Sequence, residues 1–164
     1  MTMRIRDSVM DDIPCLLEIY NHSVRNSAAT FDLEEQTLAQ RMEWFSHYGG
    51  QYPLIVAQVE DQVVGYASLS KFREKPAYQY TAECSVYIDD RFHGKGIGRA
   101  LMNELLARAG QLGHHCIVAG ITDGNEASMR LHESLGFQYV GCFREVGFKF
   151  QQWQHVHYYQ YLVR

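Results

Sequence analysis

Hydrophobic and polar residues follow two different periods along the chain, and stretches with the two periods take turns. Alternation at every second position and short apolar runs indicate strands, whereas apolar stripes at every third or fourth position indicate amphipathic helices. The order of these stretches, βααβββαβαββ, predicts an α/β fold in which a mixed sheet carries helices on both faces. The predicted strands cover 3–7, 54–59, 63–70, 81–88, 115–121, 137–147 and 155–163, and the predicted helices lie near 11–26, 33–47, 97–111 and 125–135.

Residues typical of helix ends support the first two helices. Pro14 stands in the first turn of the first helix, where its missing N–H would have no intrahelical partner. Asp32 with Glu35 resembles a capping box, with Asp in place of Ser or Thr, and would open the second helix. The pair Gly49-Gly50 would end that helix, because glycine readily adopts the left-handed conformation that follows many helices.

Length and charge limit the classes of protein to consider. The 164 residues suit a single domain, 1–164, with its own hydrophobic core. Lys and Arg total 15 and Asp and Glu total 19, and this net charge of −4 argues against nucleic acid as a partner. We find no apolar run near the roughly 18 residues of a membrane helix and no apolar segment of a secretion signal, so we expect a cytoplasmic protein without a membrane partner.

The cysteine and histidine residues show no metal-binding spacing. None of the four cysteines forms a C-x-x-C pair, and we expect all four to be reduced and to pack as small hydrophobic groups. A catalytic cysteine is the alternative, although no motif supports it. The pair His155-x-His157 lies on one face of a strand but lacks a third ligand, so no metal site is predicted.

A glycine-rich segment after the fourth strand is the first chemical signal. It reads Arg91-Phe-His-Gly-Lys-Gly-Ile-Gly-Arg99 and places three glycines, at every second position, between a strand and a helix. The first N–H groups of a helix have no internal partner and that end is positive, so the segment is suited to a phosphate. Lys95 and the two flanking arginines add positive charge. The alternative is a simple tight turn; neither the Walker nor the Rossmann glycine spacing is present.

The segment His93–Gly98 resembles the acetyl-CoA pyrophosphate loop, [Q/R]-x-x-G-x-[G/A], of the GCN5-related N-acetyltransferase (GNAT) superfamily. His93 departs from that pattern, because Gln or Arg is usual there. Residues 125–137 resemble the second cofactor segment of the superfamily, and the order of elements fits over 1–164. Three further runs resemble the phosphinothricin and methionine sulfoximine N-acetyltransferase branch: Tyr78–Ile88, Leu131-His132-Glu133, and Gly147-Phe148-Lys149 followed by Trp153.

The resemblance implies a GNAT-type fold and acetyl-CoA as cosubstrate, without a metal. The fold would have a mostly antiparallel central sheet, helices on both faces, and a splayed pair of central parallel strands. The pantetheine arm would run beside the strand before the glycine loop, and Asn125 would bind the arm from the next strand's end. The implied cofactor-binding residues are Val86, Tyr87, Ile88, Gly94, Lys95, Gly96, Ile97, Gly98, Arg99, Asn125 and Ser128.

Two residues are candidates for proton transfer. Glu83 is the only charged residue in the strand run Tyr80–Ile88, and an α-amine with a pKa of about 8 needs only a modest base. Its alternative role is a carboxylate on the solvent face of the strand. His132 matches the branch at a point where many superfamily members carry an acid for the leaving thiolate, and its alternative role is structural.

The implied substrate pocket combines two segments and one distant aromatic residue. Arg73 is our candidate for a bidentate clamp on the substrate carboxylate, with a solvated charge run as the alternative. Tyr78, Tyr80 and Trp153 are further candidates for its walls, although aromatic residues also serve in cores and dimer interfaces. The implied substrate-binding residues are Phe31, Arg73, Glu74, Lys75, Glu83, Cys84 and Ser85.

These expectations combine into one leading hypothesis. The chain would acetylate the α-amine of small amino-acid analogues of the phosphinothricin, methionine sulfoximine or methionine sulfone type, as in detoxification or resistance, by direct transfer with Glu83 as general base. The alternatives are an acetyltransferase of protein N-termini or another small amine, and a non-catalytic acyl-CoA-binding module. The run Tyr158-Tyr159-x-Tyr161 on the last strand predicts a homodimer.

Overall fold

The computed structural model describes residues 2–164, which form one seven-stranded sheet and four α-helices. The order of elements is the predicted one, βααβββαβαββ. The strands are β1 Met3–Asp7, β2 Leu54–Val59, β3 Gln62–Lys71, β4 Thr81–Ile88, β5 Cys116–Thr122, β6 Gln138–Lys149 and β7 Gln152–Leu162. The helices are α1 Ile13–Asn26, α2 Leu38–Phe45, α3 Ile97–Gln111 and α4 Glu126–Ser134. Among the described residues, we find no helix that is both long enough and apolar enough to cross a membrane.

The sheet has the strand order β1-β2-β3-β4-β5-β7-β6, and only β4 and β5 are parallel neighbours. These two strands pair through three residues each, Thr81–Glu83 with Cys116–Val118, and then separate. Beyond Glu83, β4 is hydrogen-bonded only to β3, and beyond Val118, β5 is hydrogen-bonded only to β7. The mostly antiparallel sheet with a splayed parallel pair is therefore confirmed.

Helices cover the two faces of the sheet, and β4 divides its side chains between them. Tyr87 packs against Tyr20 of α1, with ring centroids 5.5 Å apart, and stacks on Tyr66 of β3 at 5.4 Å. Cys84 belongs instead to the core cluster that contains α3 residues such as Leu101. Because successive side chains of a strand point to opposite faces, Glu83 lies on the α1 side of the sheet, with Tyr87, and Cys84 on the α3 side.

The predicted start of the second helix is wrong. Thr37, not Asp32, caps α2: the Thr37 hydroxyl accepts from the backbone N–H of Gln40 at 3.2 Å, and the Gln40 side chain accepts from the N–H of Thr37 at 2.8 Å. Asp32 instead accepts a hydrogen bond from the hydroxyl of Tyr20, and Glu35 forms a salt bridge with an arginine of α1. Both acids of the predicted capping box are thus held by the preceding helix.

The last two strands form a longer hairpin than the pattern predicts. β6 extends to Lys149 rather than 147, and β7 begins at Gln152 rather than 155. The turn between them places Phe150 and Gln151 at φ values of 56° and 60°. The extension brings Lys149 into the strand, and its side chain bonds the residue that follows the last turn of α1.

Candidate active site

The separation of β4 from β5 opens a cleft of about 380 Å³. Its walls come from the segment after α1, from β4, from the end of β5 and from α4, with further side chains of β6 and β7. Nine of the residues predicted for catalysis, cofactor binding or substrate binding line this one cleft: Phe31, Glu83, Cys84, Ser85, Val86, Tyr87, Asn125, Ser128 and His132.

Glu83 lies at the point where the two central strands part, opposite Val118 of β5. Its side chain is half-buried, and this burial raises the pKa of the carboxyl group, while the positive charge of Arg73 partly opposes the rise. A carboxylate with a raised pKa is a stronger base than an exposed one and accepts a proton from an amine more readily. The geometry therefore suits Glu83 to the role predicted for it.

His132 is 3% exposed and is held by α4 itself. Its Nδ1 lies 2.8 Å from the backbone oxygen of Ser128, and its Nε2 lies 3.9 Å from the sulfur of Cys84. A carbonyl oxygen only accepts hydrogen bonds, so Nδ1 carries the proton and Nε2 offers a lone pair. Burial also lowers the pKa of His132. The ring is thus neutral at rest, an arrangement suited to a proton acceptor or a structural residue rather than an acid.

Cys84 is a protonated thiol rather than a nucleophile. It is 7% exposed, and burial raises its pKa to about 12. The S–H group is therefore the donor toward Nε2 of His132. Since the thiolate is the reactive form of cysteine, this environment argues against the alternative of a catalytic cysteine at this position.

The glycine-rich segment leads from β4 to the start of α3. Gly94 and Gly96 adopt φ values of 74° and 81°, and a Cβ at either position would meet no atom within 4 Å. Gly96 is the N-cap residue of α3, and no side chain caps the helix there. The first-turn N–H groups therefore face open space at the positive end of a 15-residue helix, which is the arrangement expected of an anion site.

The side chains around these N–H groups have separate tasks. Ile97 is 1% exposed and anchors the first turn of α3 in the core. Arg99 donates to the hydroxyl of Ser134 at 2.6 Å, which ties α3 to the end of α4, and Lys95 remains exposed. His93, the departure from the family pattern, places Nε2 3.1 Å from the backbone oxygen of Ile88 and closes the turn between β4 and the segment.

Asn125 caps α4 at the end of the cleft. Its side-chain oxygen accepts a hydrogen bond from the N–H of Ser128 at 3.3 Å. The amide NH₂ of the same side chain is then the group that can donate to a bound molecule. Sequence reasoning assigned both residues to cofactor binding, and the structure places them on the same wall of the cleft.

Three residues predicted to bind substrate lie outside the cleft. Glu74 forms a salt bridge with Lys71 at 3.4 Å, and Lys75 is exposed in the loop that follows. Arg73 does not line the cleft, but its charge acts on the pKa of Glu83. Of the three, Arg73 alone is thus placed to influence a molecule bound at Glu83.

The predicted aromatic walls are divided in the same way. Phe31 lines the cleft, whereas Tyr78, Tyr80 and Trp153 do not. These three side chains are 41%, 59% and 61% exposed.

Sequence reasoning missed several residues on the α1 side of the cleft, the side that carries Glu83. Thr30, Thr122, Val146 and Tyr158 line the cleft, and Lys149 supports it from behind. They lie in segments up to about 120 residues apart, and no local pattern joins them. The one available signal was a lysine in the otherwise apolar run at the end of β6.

The histidines of β7 are engaged with neighbouring groups rather than with each other. His157 contacts Asp123 at 2.8 Å through Nε2 and the Tyr139 hydroxyl at 2.9 Å through Nδ1. His155 accepts from the backbone N–H of Glu145 at 2.8 Å. Within residues 2–164, no three histidine, cysteine, aspartate or glutamate side chains are grouped so as to hold a metal ion.

Known proteins resemble this chain over most of its length. The model of the acetyltransferase (GNAT) family matches residues 16–137. The chain is 41% identical over 155 residues to the L-methionine sulfoximine/L-methionine sulfone acetyltransferase of Pseudomonas aeruginosa, covering 93% of this chain and 90% of that protein. It is 40% identical over 162 residues to the phosphinothricin N-acetyltransferase of Streptomyces coelicolor, covering 96% and 95%.

A solved structure extends the likeness to three dimensions. The GNAT superfamily phosphinothricin acetyltransferase from Sinorhizobium meliloti, determined in complex with acetyl-CoA, superposes with a TM-score of 0.95 at 36% identity, covering 99% of this chain and 89% of that one. The family match spans most of the chain, and each of the two relatives and the solved structure aligns with 93% or more of it. The protein described here therefore belongs to the GNAT family of acetyltransferases.

Proposed function

We propose that this protein is an acetyl-CoA-dependent N-acetyltransferase, a single domain over 1–164, that acetylates the α-amine of small amino-acid analogues. Methionine sulfoximine, methionine sulfone and phosphinothricin are the analogues named for its relatives. The observation that carries the proposal is the position of Glu83: its half-buried carboxyl group, whose pKa is raised, lies on the α1 side of the cleft where the two central strands part.

The residues present fit acetyl-CoA as the cosubstrate. The uncapped first turn of α3, with the open space at Gly94 and Gly96, would hold the pyrophosphate, and Lys95 would add positive charge. The backbone of 84–88 lacks a strand partner on its β5 side and would pair with the extended pantetheine arm. Acetyl-CoA would supply an acetyl group activated as a thioester, and no metal is required for that chemistry.

Glu83 would remove the proton that the amine must lose, directly or through one water molecule, and leave a neutral nitrogen with a free lone pair. The backbone N–H groups of 86–88 that face the gap would donate to the carbonyl oxygen as negative charge develops on it. His132, neutral with its lone pair on Nε2, would keep the α3 side of the cleft in shape through Cys84 and Ser128. The nitrogen would attack the carbonyl carbon, the carbon–sulfur bond would break, and the CoA thiolate would leave and take up the second proton of the nitrogen. The proton received by Glu83 would return to solvent.

The acceptor would occupy the α1 side of the cleft. Phe31 would provide an apolar wall. Ser85, two residues along β4 from Glu83 and on the same face, would provide a hydroxyl group. Arg73 would attract the acceptor carboxylate, because a guanidinium binds carboxylates through two parallel hydrogen bonds. Glu74 and Lys75 are not part of this arrangement, since neither lines the cleft.

We also propose a homodimer, but through a different surface from the tyrosines of the last strand. Tyr159 is 2% exposed and belongs to the core. The exposed apolar side chains instead follow β6 and the hairpin tip, and such a row is typical of protein interfaces. They are Tyr139, Val140, Phe143, Val146, Phe148, Phe150 and Trp153. A cytoplasmic location remains a prediction, which agrees with four cysteines that are all free.

An acetylation screen tests the proposed function. The purified protein is given acetyl-CoA and a panel of amines, namely methionine sulfoximine, methionine sulfone, phosphinothricin, common amino acids and short peptides with free N-termini, and the release of CoA thiol is followed. Rapid release with the amino-acid analogues is expected. Release with peptides alone would contradict the substrate class, and acetyl-CoA binding without release for any amine would contradict catalysis.

A further inference from the structure

The segment 27–32, here called the acceptor wall, connects α1 to the extended chain that precedes α2. It provides three residues to the cleft, Ala29, Thr30 and Phe31, on the same side of the sheet as Glu83. The segment has no regular secondary structure. Its conformation therefore depends on contacts with the rest of the protein rather than on a helix or strand ladder of its own.

Side chains from distant strands bind the backbone oxygens of the acceptor wall. The ammonium group of Lys149 donates to the carbonyl oxygens of Ser27 at 2.9 Å and Thr30 at 2.8 Å. The hydroxyl of Thr122 donates to the carbonyl oxygen of Ala28 at 2.6 Å. Of the four consecutive carbonyl groups of residues 27–30, all but that of Ala29 are thus bound by side chains of β5 and β6.

Lys149 is unusual because it is an almost fully buried lysine, 4% exposed, without a salt bridge among residues 2–164. An ammonium group is unfavourable to bury unless hydrogen bonds and nearby charge compensate for lost water. Two carbonyl oxygens bind it directly, and Asp32 acts through space. A hydrophobic side chain would fill the same volume without this penalty, but it would not hold the wall.

The same part of β6 also fixes the ring of Phe31. A Cβ added at Gly147 would lie 2.7 Å from Cδ2 and 2.9 Å from Cζ of that ring, so the ring rests directly on the strand backbone. Val146, the residue before, lines the cleft itself. Backbone and ring of the acceptor wall are therefore both aligned by residues 146–149.

We propose that Lys149 is a positioning residue for the acceptor amine: by bonding the carbonyl oxygens of Ser27 and Thr30, it holds the acceptor wall in the conformation that binds the acceptor beside Glu83. This rests on the proposed function, because it assigns the α1 side of the cleft to the acceptor. Lys149 does not touch the reacting atoms. Its loss should weaken acceptor binding and leave the acetyl-CoA site on the α3 side intact.

The test replaces Lys149 with a side chain of similar length that cannot donate, in Lys149→Met. We expect the KM for the acceptor to rise about tenfold, the change expected for losing a hydrogen bond to a charged group. The kcat at saturating acceptor and the Kd for acetyl-CoA by calorimetry should stay near the wild-type values. Arg25→Met is the matched control. Arg25 is an exposed positive charge beside the acceptor wall, but it bonds the side chains of Glu18 and Glu35 rather than the carbonyl groups of the wall.

A second pair of variants covers the case in which Lys149→Met does not fold. Thr122→Val removes the donor to Ala28 without changing the shape of the side chain, and it should raise the acceptor KM in the same direction by a smaller factor. Thr122→Ser keeps the hydroxyl and should restore the wild-type value. An unchanged acceptor KM in folded Lys149→Met, or in Thr122→Val where Lys149→Met fails to fold, would overturn the proposal.

Hydrogen exchange separates this proposal from the proposed function. Without any ligand, the amide groups of 27–32 should exchange faster in Lys149→Met than in the wild type, since local opening becomes easier. The acceptor KM is measured with whichever amine of the panel the wild type acetylates, so failure of the amino-acid class leaves the measurement intact. Faster exchange with an unchanged KM would reject positioning while the proposed function stands.

Discussion

The two halves of the proposed site are built in opposite ways. The proposed anion site is one continuous segment, 93–99, whose backbone N–H groups at the start of α3 would bind the phosphates. The half that we assign to the acceptor, on the α1 side of the cleft, is assembled from side chains of distant segments. The hydrogen bond from Lys149 to Ser27 joins residues 122 positions apart. The first half therefore depends on local backbone geometry, whereas the second depends on the whole fold.

His93 shows what this difference allows. A site made of backbone N–H groups tolerates a change of side chain, provided that the turn keeps its shape. His93 stands where the family pattern has Gln or Arg, and its ring binds the carbonyl oxygen of Ile88 at 3.1 Å. No comparable freedom exists at Gly147 on the other side, where any Cβ would collide with the ring of Phe31.

The largest effect is expected at Glu83, which we propose as the general base. Glu83→Gln keeps the size of the side chain but cannot accept a proton, and kcat should fall by about 10²–10⁴-fold. The Kd for acetyl-CoA should not change, because the anion site is elsewhere. Steady-state kinetics with calorimetry checks both values, and Glu60→Gln, an exposed carboxylate in the β2–β3 turn, is the control. Unchanged turnover at saturating substrates would exclude Glu83 as the base.

The second-largest effect is expected at the proposed anion site at the start of α3. Gly96→Asp brings a carboxylate to the open space before α3 and should weaken acetyl-CoA binding by about tenfold or more, since each 1.4 kcal/mol is about tenfold. Gly113→Asp is a matched control at the other end of the helix, where φ is 84° and a Cβ would also meet nothing within 4 Å. Equal losses of affinity in the two variants would show that backbone strain, rather than the anion site, is responsible.

The pH dependence of kcat/KM tests the effect of the Arg73 charge on the pKa of Glu83. The base works when deprotonated, so activity should fall as the pH decreases through the raised pKa of Glu83. Arg73 opposes that rise, so Arg73→Gln should raise the pKa of Glu83 further and move the acidic limb to higher pH. Arg25→Gln, an exposed arginine paired with Glu18 and Glu35, should leave the limb in place. A limb that stays fixed in Arg73→Gln would reject the interaction.

The smallest effect on chemistry is expected at His132. The ring is neutral with its proton on Nδ1, so His132→Asn should lower kcat only a few-fold and leave the shape of the pH profile unchanged. The variant should be less stable by about 1–3 kcal/mol, because the hydrogen bonds around the buried ring are disturbed. Loss of one limb of the profile would instead assign His132 a proton-transfer role; thermal unfolding measures the stability.

Local signals predicted the elements whose ends are decided locally. The boundaries of β4 and α3 agree with the prediction at every residue, because an apolar alternation ends at a glycine-rich turn and an apolar stripe begins after it. The start of α2 could not be predicted in the same way. Asp32 has the chemistry of a cap, but the hydroxyl of Tyr20, packed beside it by the tertiary fold, binds it instead.

The same distinction between local and long-range contacts applies to the residues of the candidate site. The residues on β4 and α4, such as Glu83 and Asn125, were predictable from motifs and lie together in the cleft. The resemblance assigned Glu74 and Lys75 to the substrate pocket, but Glu74 forms a salt bridge with Lys71 and Lys75 is exposed. Lys149 stood out only as a charged residue in an apolar run, and its contacts could not be predicted, because its partners are backbone oxygens that only folding brings near.

Because β4 and β5 pair over only three residues each, the sheet has more than the usual two free edges. An unbroken seven-stranded sheet has two edge strands, whereas this one has two outer edges, β1 and β6, and two inner edges beyond residues 83 and 118. Free strand edges usually invite pairing with other chains. Here the inner edges face each other across a narrow wedge closed at one end. In this position the inner edges are less open to pairing with other chains than the outer edges at β1 and β6 are.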